Sequence, residues 1–217
     1  MAKVCLGILD GFVGKVGTVI GSFWKGIPVM RAYKRVVTQR NTESQQLVRT
    51  RFAAIGSLAG AFLSAIRIGL KEVARKQRLT EGDVFVQRNW EHVHADTPGS
   101  ASIDYSELQI ADGHLPEASF GAPSFTNPLE VDVSMSSTTD MIGADADDEV
   151  YLFVYSTEAG AGMLGTTAKR SDNQVKANVP AYWNGHRVHV WGFAKGAGTQ
   201  NAGTLSKSRY LGSGTIS

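Results

Sequence analysis

The sequence predicts an α+β protein in which a glycine-rich extended or hairpin segment and helices precede a β-sandwich. Three observations lead there. Gly7, Gly11, Gly14, Gly17, Gly21 and Gly26 punctuate a front segment of Val, Ile, Phe and Trp. Apolar residues then recur at helical spacing up to about residue 93. After Asp96-Thr97-Pro98-Gly99-Ser100, a run of turn formers, the pattern changes to short alternating runs. That break predicts two parts: 1–96, basic, glycine-rich and helical, and 97–217, a β-sandwich domain.

In the front segment, Lys15 to Arg31 (KVGTVIGSFWKGIPVMR) reads as extended chain. Val16, Thr18, Ile20, Ser22 and Trp24 fall on one face, and Gly17, Val19, Gly21 and Phe23 on the other. Glycine inside a strand is costly unless another group approaches closely or the strand bends. The segment is too small to bury itself, so it must pack on the rest of the chain or on another copy.

Thr42 and Gln45 have capping-box spacing. From there Leu47, Ile55, Leu58, Phe62, Ile66 and Val73 mark a helix to about Lys76. Gly56, Gly60 and Gly69 each weaken it by roughly 1 kcal/mol relative to Ala, and Gly69 marks a break. Thr80 with Asp83 opens a shorter helix through Trp90 and Val93. The apolar stretch Phe52–Ile66 would reach only about 22 Å as a helix, short of a ~30 Å hydrocarbon layer. It reads as a buried helix, and no transmembrane segment is expected.

Beyond the break, 103–110, 129–135, 150–155, 174–179 and 187–194 read as strands, with weaker ones near 117–125 and 204–211. PLEVDVSM alternates strictly, as a half-exposed strand does. EVYLFVYS and HRVHVWGFAK are apolar on both faces, which suits central strands. About seven strands separated by turn signals predict an immunoglobulin/fibronectin-like β-sandwich.

The net charge of +2 hides two opposed parts: residues 1–80 carry +11 and residues 81–217 carry −9. Such asymmetry points to nucleic acid or to head-to-tail contact between copies. Cys5 is the single cysteine, so there is no intramolecular disulfide, and the apolar run Val4–Leu9 is too short for a signal-peptide core. The expected location is cytoplasmic, or a virion after cytoplasmic synthesis.

No pattern of catalysis emerges. Gly14-Lys15 lacks the earlier glycine and following hydroxyl of a P-loop, since Leu9 and Val16 occupy those places. His92 and His94 diverge on a helix, as do His186 and His189 on a strand, which is poor geometry for one metal. Asp145, Asp147, Asp148 and Glu149 lead into a strand where a calcium loop needs glycine, because Val150 holds that place. The expectation is a non-enzyme without cofactor or metal.

Three blocks carry a resemblance: GILDGFVGKVGTVIGSFWKG at the front, SIDYSELQIADGHLP after the break and SRYLG near the end, with IRIGLKEVA between them. On these blocks the chain resembles an uncharacterised family of unknown function that is widespread in Bacteroidota. The resemblance implies the two-part layout and assigns no activity. The chain departs from it in a more basic helix, with Arg67, Lys71, Arg75, Lys76 and Arg78.

The foremost functional expectation is a structural assembly subunit, a homo-oligomer or larger assembly such as a phage virion component or filament. Val19, Ile20, Phe23 and Trp24 would form the interface. The alternative is a nucleic-acid-binding protein that uses Lys15, Lys25, Arg31, Lys34, Arg35 and Arg40 against phosphates. A further alternative is a ligand-binding sandwich using Tyr182, Trp183 and Trp191.

Overall fold

A computed structural model describes residues 2–3, 12–33, 41–136, 143–198 and 201–216. The chain divides into two compact units, Met1–Thr42 and Glu43–Ser217. Cys5, Lys34, Arg35 and Arg40 lie outside the described residues.

The first unit is an antiparallel sheet of β1 (Ala2–Lys3), β2 (Gly14–Val16), β3 (Val19–Trp24) and β4 (Ile27–Ala32), in the order β1-β4-β3-β2. The extended stretch read from sequence is therefore folded by two hairpins. Lys25 and Gly26 between β3 and β4 both have positive φ, 46° and 78°, as a type I′ turn requires. Gly21 is glycine for want of space: a Cβ there would lie 2.2 Å from the Phe12 carbonyl oxygen and 2.8 Å from its ring.

The second unit begins with α1 (Glu43–Ala61), α2 (Leu63–Gly69), α3 (Lys71–Gln77) and α4 (Glu81–Asn89). The single helix expected to Lys76 is thus three. The chain turns by 79° between α1 and α2. At that corner Phe62 is fully buried, with the rings of Phe85, Phe153, Tyr155 and Trp191 at 4.7–5.6 Å. Burying such a ring contributes on the order of 2–3 kcal/mol, enough to outweigh an interrupted helix. Among the described residues no single helix is long and apolar enough to cross a membrane. The expected break at Gly69 is present. Thr80 and Asp83 form the capping box, with Asp83 N–H donating to the Thr80 hydroxyl at 3.1 Å and Thr80 N–H to the Asp83 carboxylate at 3.2 Å.

β5 (Val93–Thr97) and β6 (Ser100–Ile103) form a hairpin whose turn holds Gly99 at φ 88°. The turn formers that read as a boundary are the tip of this hairpin. The strand expected at 103–110 instead ends at Ile103 and gives way to a 3₁₀ turn at Tyr105–Glu107.

The sandwich follows: β7 (Ser119–Ser124), β8 (Glu130–Ser136), β9 (Glu149–Ser156), β10 (Ala161–Leu164), β11 (Ala168–Lys169), β12 (Gln174–Asn178), β13 (Arg187–Lys195) and β14 (Arg209–Thr215). One sheet runs β12-β8-β7 and the other β10-β9-β13-β14, with β11 extending the β10 edge along β9. These two sheets of short antiparallel strands, three-stranded and five-stranded, form the predicted β-sandwich. The last strand lies a few residues later than the 204–211 expected.

Both faces of β9 and β13 are apolar because both are covered. Val150, Leu152, Val154, Val188 and Val190 meet Val131, Val133 and Val175 of the opposite sheet. Phe153, Tyr155, Trp191 and Phe193, on the other face, lie beneath Ile55, Leu58, Phe62, Ile66 and Leu70 of the helices. Helices and sandwich therefore share a core. The compact units divide after Thr42, whereas residue 96 lies inside the β5–β6 hairpin.

Candidate functional site

The four residues expected at an assembly interface all lie on β3, but they divide between its faces. Cross-strand partners share a face. Ile20 and Trp24 go with Val29 and Ile27 of β4, while Val19 and Phe23 lie beside Met30 and Pro28. Phe23 is 50% exposed and Trp24 47%, and Val19 and Ile20 are half-buried. Among the described side chains of this unit only Gly21 and Val29 are buried. One face carries Val16, Val19, Phe23, Pro28, Met30 and Ala32, the other Ile20, Trp24, Ile27 and Val29 among Lys15, Ser22 and Arg31, and β2 pairs only with β3 among the described residues.

Of the cations expected to meet nucleic acid, Lys15 and Arg31 flank Ile20 on the face that carries Trp24. The Lys15 ammonium sits 3.8 Å over the Tyr33 ring, a cation–π contact. Lys25 is in the turn at the far end of the hairpin. The three lie apart on a small sheet, Lys15 on β2, Arg31 on β4 and Lys25 in the turn.

In the second unit, two of the three aromatics of the ligand-binding reading are core. Trp183 and Trp191 are buried, each in a different cluster, and Tyr182 is exposed. The histidines are engaged singly. The His186 Nδ1 is 3.0 Å from the Ser156 hydroxyl, and the His189 Nδ1 is 2.9 Å from the Tyr210 hydroxyl. Ser156 is fully buried and accepts a bond from Ala159 N–H, so this Ser–His pair has no access to a substrate. Burial, aided by the charge of Arg187, pushes His189 down to about 4. The acidic turn is answered by cations of its own chain. Asp147 pairs with Lys169 at 2.8 Å, Glu149 with Lys195 at 2.8 Å, and the buried Asp148 with the buried Arg170 at 3.1 Å.

A groove of about 610 Å³ opens in the second unit, lined by α2 and α3, by Tyr151 of β9 and Lys195 of β13, and by Gly203 and Leu205. Its helical wall carries Arg67, Lys71, Arg75 and Lys76 around Ile68, against one carboxylate, Glu72, which is 3.9 Å from Lys76. Arg67, Lys71 and Arg75 are exposed and make no ion pair among the described residues. On the sheet side, the Tyr151 ring stacks on Phe193 at 5.3 Å and 14°, and its hydroxyl donates to Glu149 at 2.6 Å. The bonds from Lys195 and then Tyr151 hold the Glu149 carboxyl below its ordinary range, and Glu149 raises Lys195 in turn. Burial first, and then the same carboxylate, raises Tyr151. The basic helix was visible in the sequence. Its facing wall was not, because Tyr151 and Lys195 lie far along the chain and reach the groove through sheet packing.

The sequence profile of a family of unknown function, DUF6266, matches residues 11–212. No curated protein matches. Among solved structures, a fibronectin type III domain of the human collagen alpha-1(XX) chain is similar at 13% identity and a TM-score of 0.35, over 49% of this chain and 90% of that one.

Proposed function

We propose that this chain, which belongs to the DUF6266 family of unknown function, is a non-enzymatic assembly subunit that joins copies of itself through its N-terminal sheet. The observation that carries the reading is a sheet with half-exposed aromatic rings on both faces. Phe23 and Trp24 are half exposed on opposite faces, and among the described residues of the unit only Gly21 and Val29 are buried. Such a sheet gains from a layer on each side, so it suits insertion between elements of a neighbour.

A second copy fits as the neighbour because the two compact units are oppositely charged. Residues 1–42 carry seven Lys/Arg against Asp10 alone, a net +6, while residues 43–217 carry fifteen against nineteen, a net −4. Contact of one copy's first unit with the next copy's second unit is heterologous. Repetition then gives a ring, a filament or the shell of a particle such as a virion, according to whether the rotation closes.

The test is replacement of both rings, Phe23→Ser with Trp24→Ser, in the full chain, followed by sedimentation velocity. The expected outcome is at least a tenfold weaker self-association with an unchanged fold by circular dichroism, since buried interface aromatics are worth about 2 kcal/mol or more each. Unaltered association would refute the sheet as the joining element.

A further inference from the structure

We propose that the basic groove of the second unit binds single-stranded nucleic acid, with phosphodiesters along the helical wall and bases against the sheet side. This site is separate from the N-terminal sheet and does not depend on assembly.

Arg67, Lys71 and Arg75 are spaced four residues apart. Two backbone bonds bridge the α2–α3 break, from Leu70 N–H to the Ile66 carbonyl and from Ala74 N–H to the Leu70 carbonyl, each 2.9 Å, while Leu70 itself leaves helical dihedrals at φ −113° and ψ 4°. All three line the helical wall of the same groove, so they present a ladder of cations along it. A lone phosphate would occupy one rung and leave the others bare, whereas a strand presents a phosphate to each. None of the three is committed to a carboxylate among the described residues, so their charge is available to an anion.

The opposite side decides which polyanion. Tyr151 borders the groove with its ring backed by Phe193 and its hydroxyl pinned to Glu149, a rigid aromatic platform beside Leu205. Aromatic and apolar surface next to a cation ladder suits unpaired bases, whereas an acidic peptide would use the ladder and leave the platform idle. A duplex hides its bases and is too wide to seat in about 610 Å³.

Fluorescence anisotropy of a labelled oligothymidylate of about fifteen nucleotides, titrated with the full chain at several salt concentrations, tests the site. The expected result is binding that weakens with salt. Replacing Arg67, Lys71 and Arg75 together by Gln should weaken it about 30-fold and reduce the salt slope by about 2, at ~0.7 per phosphate contact. Tyr151→Leu should weaken it about tenfold and leave the slope alone. Lys15→Gln with Arg31→Gln should leave both unchanged, which separates this groove from the N-terminal sheet. The proposal is overturned if the triple variant binds as the parent does. It is equally overturned if poly-glutamate competes as well as unlabelled strand, or if the matching duplex binds as tightly. The Arg and Lys changes lie on an exposed helix face, so they decide the question even if Tyr151→Leu fails to fold.

Discussion

His189 shows how one side chain couples the helical layer to the sandwich. It lies on the outer face of β13, stacked on Tyr105 at 4.2 Å and bonded to Tyr210 at 2.9 Å. Its folded pKa of about 4 is below the ordinary 6.5, so the folded protein holds it neutral while the unfolded chain takes up a proton. That contribution to stability is intact above pH 6.5 and is lost as pH falls toward 4, at up to about 1.4 kcal/mol per pH unit. Urea unfolding at pH 7.5 and pH 5 should show the loss, and His189→Phe should flatten the difference over that interval. Equal pH dependence in the variant would assign the effect to other groups. Asp148 and Arg170 make a second residue-scale case. Both are buried, and the Arg170 guanidinium also donates to the carbonyls of Pro116 and Glu117 at 2.7 and 3.2 Å. Arg170→Leu should cost about 3–5 kcal/mol, because it strands a buried carboxylate, and Asp148→Leu added to it should recover part of the loss. The sequence displayed the acidic turn but not this pairing, since Asp148 and Arg170 are brought together only when β11 pairs with β9.

Among the elements, the helices differ most from their reading in sequence, and the glycines explain where. Gly69 is fixed by a neighbour: a Cβ there would lie 2.4 Å from the Ile110 carbonyl oxygen and 2.7 Å from the Ala111 methyl, beside a bond from Asp112 N–H to the Gly69 carbonyl. Gly60, in α1, has nothing within 4 Å. Gly69→Ala should therefore destabilise by about 1–3 kcal/mol, whereas Gly60→Ala should stabilise by up to ~1 kcal/mol, both measured by chemical denaturation. A reversed order would mean that helix propensity, not packing, governs these positions. In sequence the two glycines look alike, because the backbone that crowds Gly69 comes from 110–112. The bend at Phe62 is hidden for the same reason. Helical periodicity continues through it, and only the rings of Phe85, Phe153 and Trp191 make the corner worthwhile. The strands were more legible. Alternation placed β8 and β12, and apolar runs bounded by turn formers placed β9 and β13, all within about two residues, because these signals are local. The stretch after Ile103 failed that rule: Ile110 is buried through packing in the helix–sheet core, without a ladder.

At the scale of the whole molecule, the composition break and the physical division do not coincide. The charge contrast counted over 1–80 and 81–217 resolves into a basic first unit, and a second unit whose basic helix wall overlies an acidic sandwich. Sequence composition registers where helix gives way to strand, whereas the compact units are set by which residues share a core. The helices from Glu43 onward share theirs with β9 and β13, so they belong to the second unit with the sandwich. Assembly by opposed units should weaken as salt screens them, while burial of Phe23 and Trp24 should persist. The most direct test is size-exclusion chromatography with multi-angle light scattering on the full chain, at several protein concentrations and at low and high salt. The account predicts a mass above the 23.3 kDa of one chain that rises with concentration and falls with added salt. A constant 23.3 kDa species at every concentration and salt would contradict it.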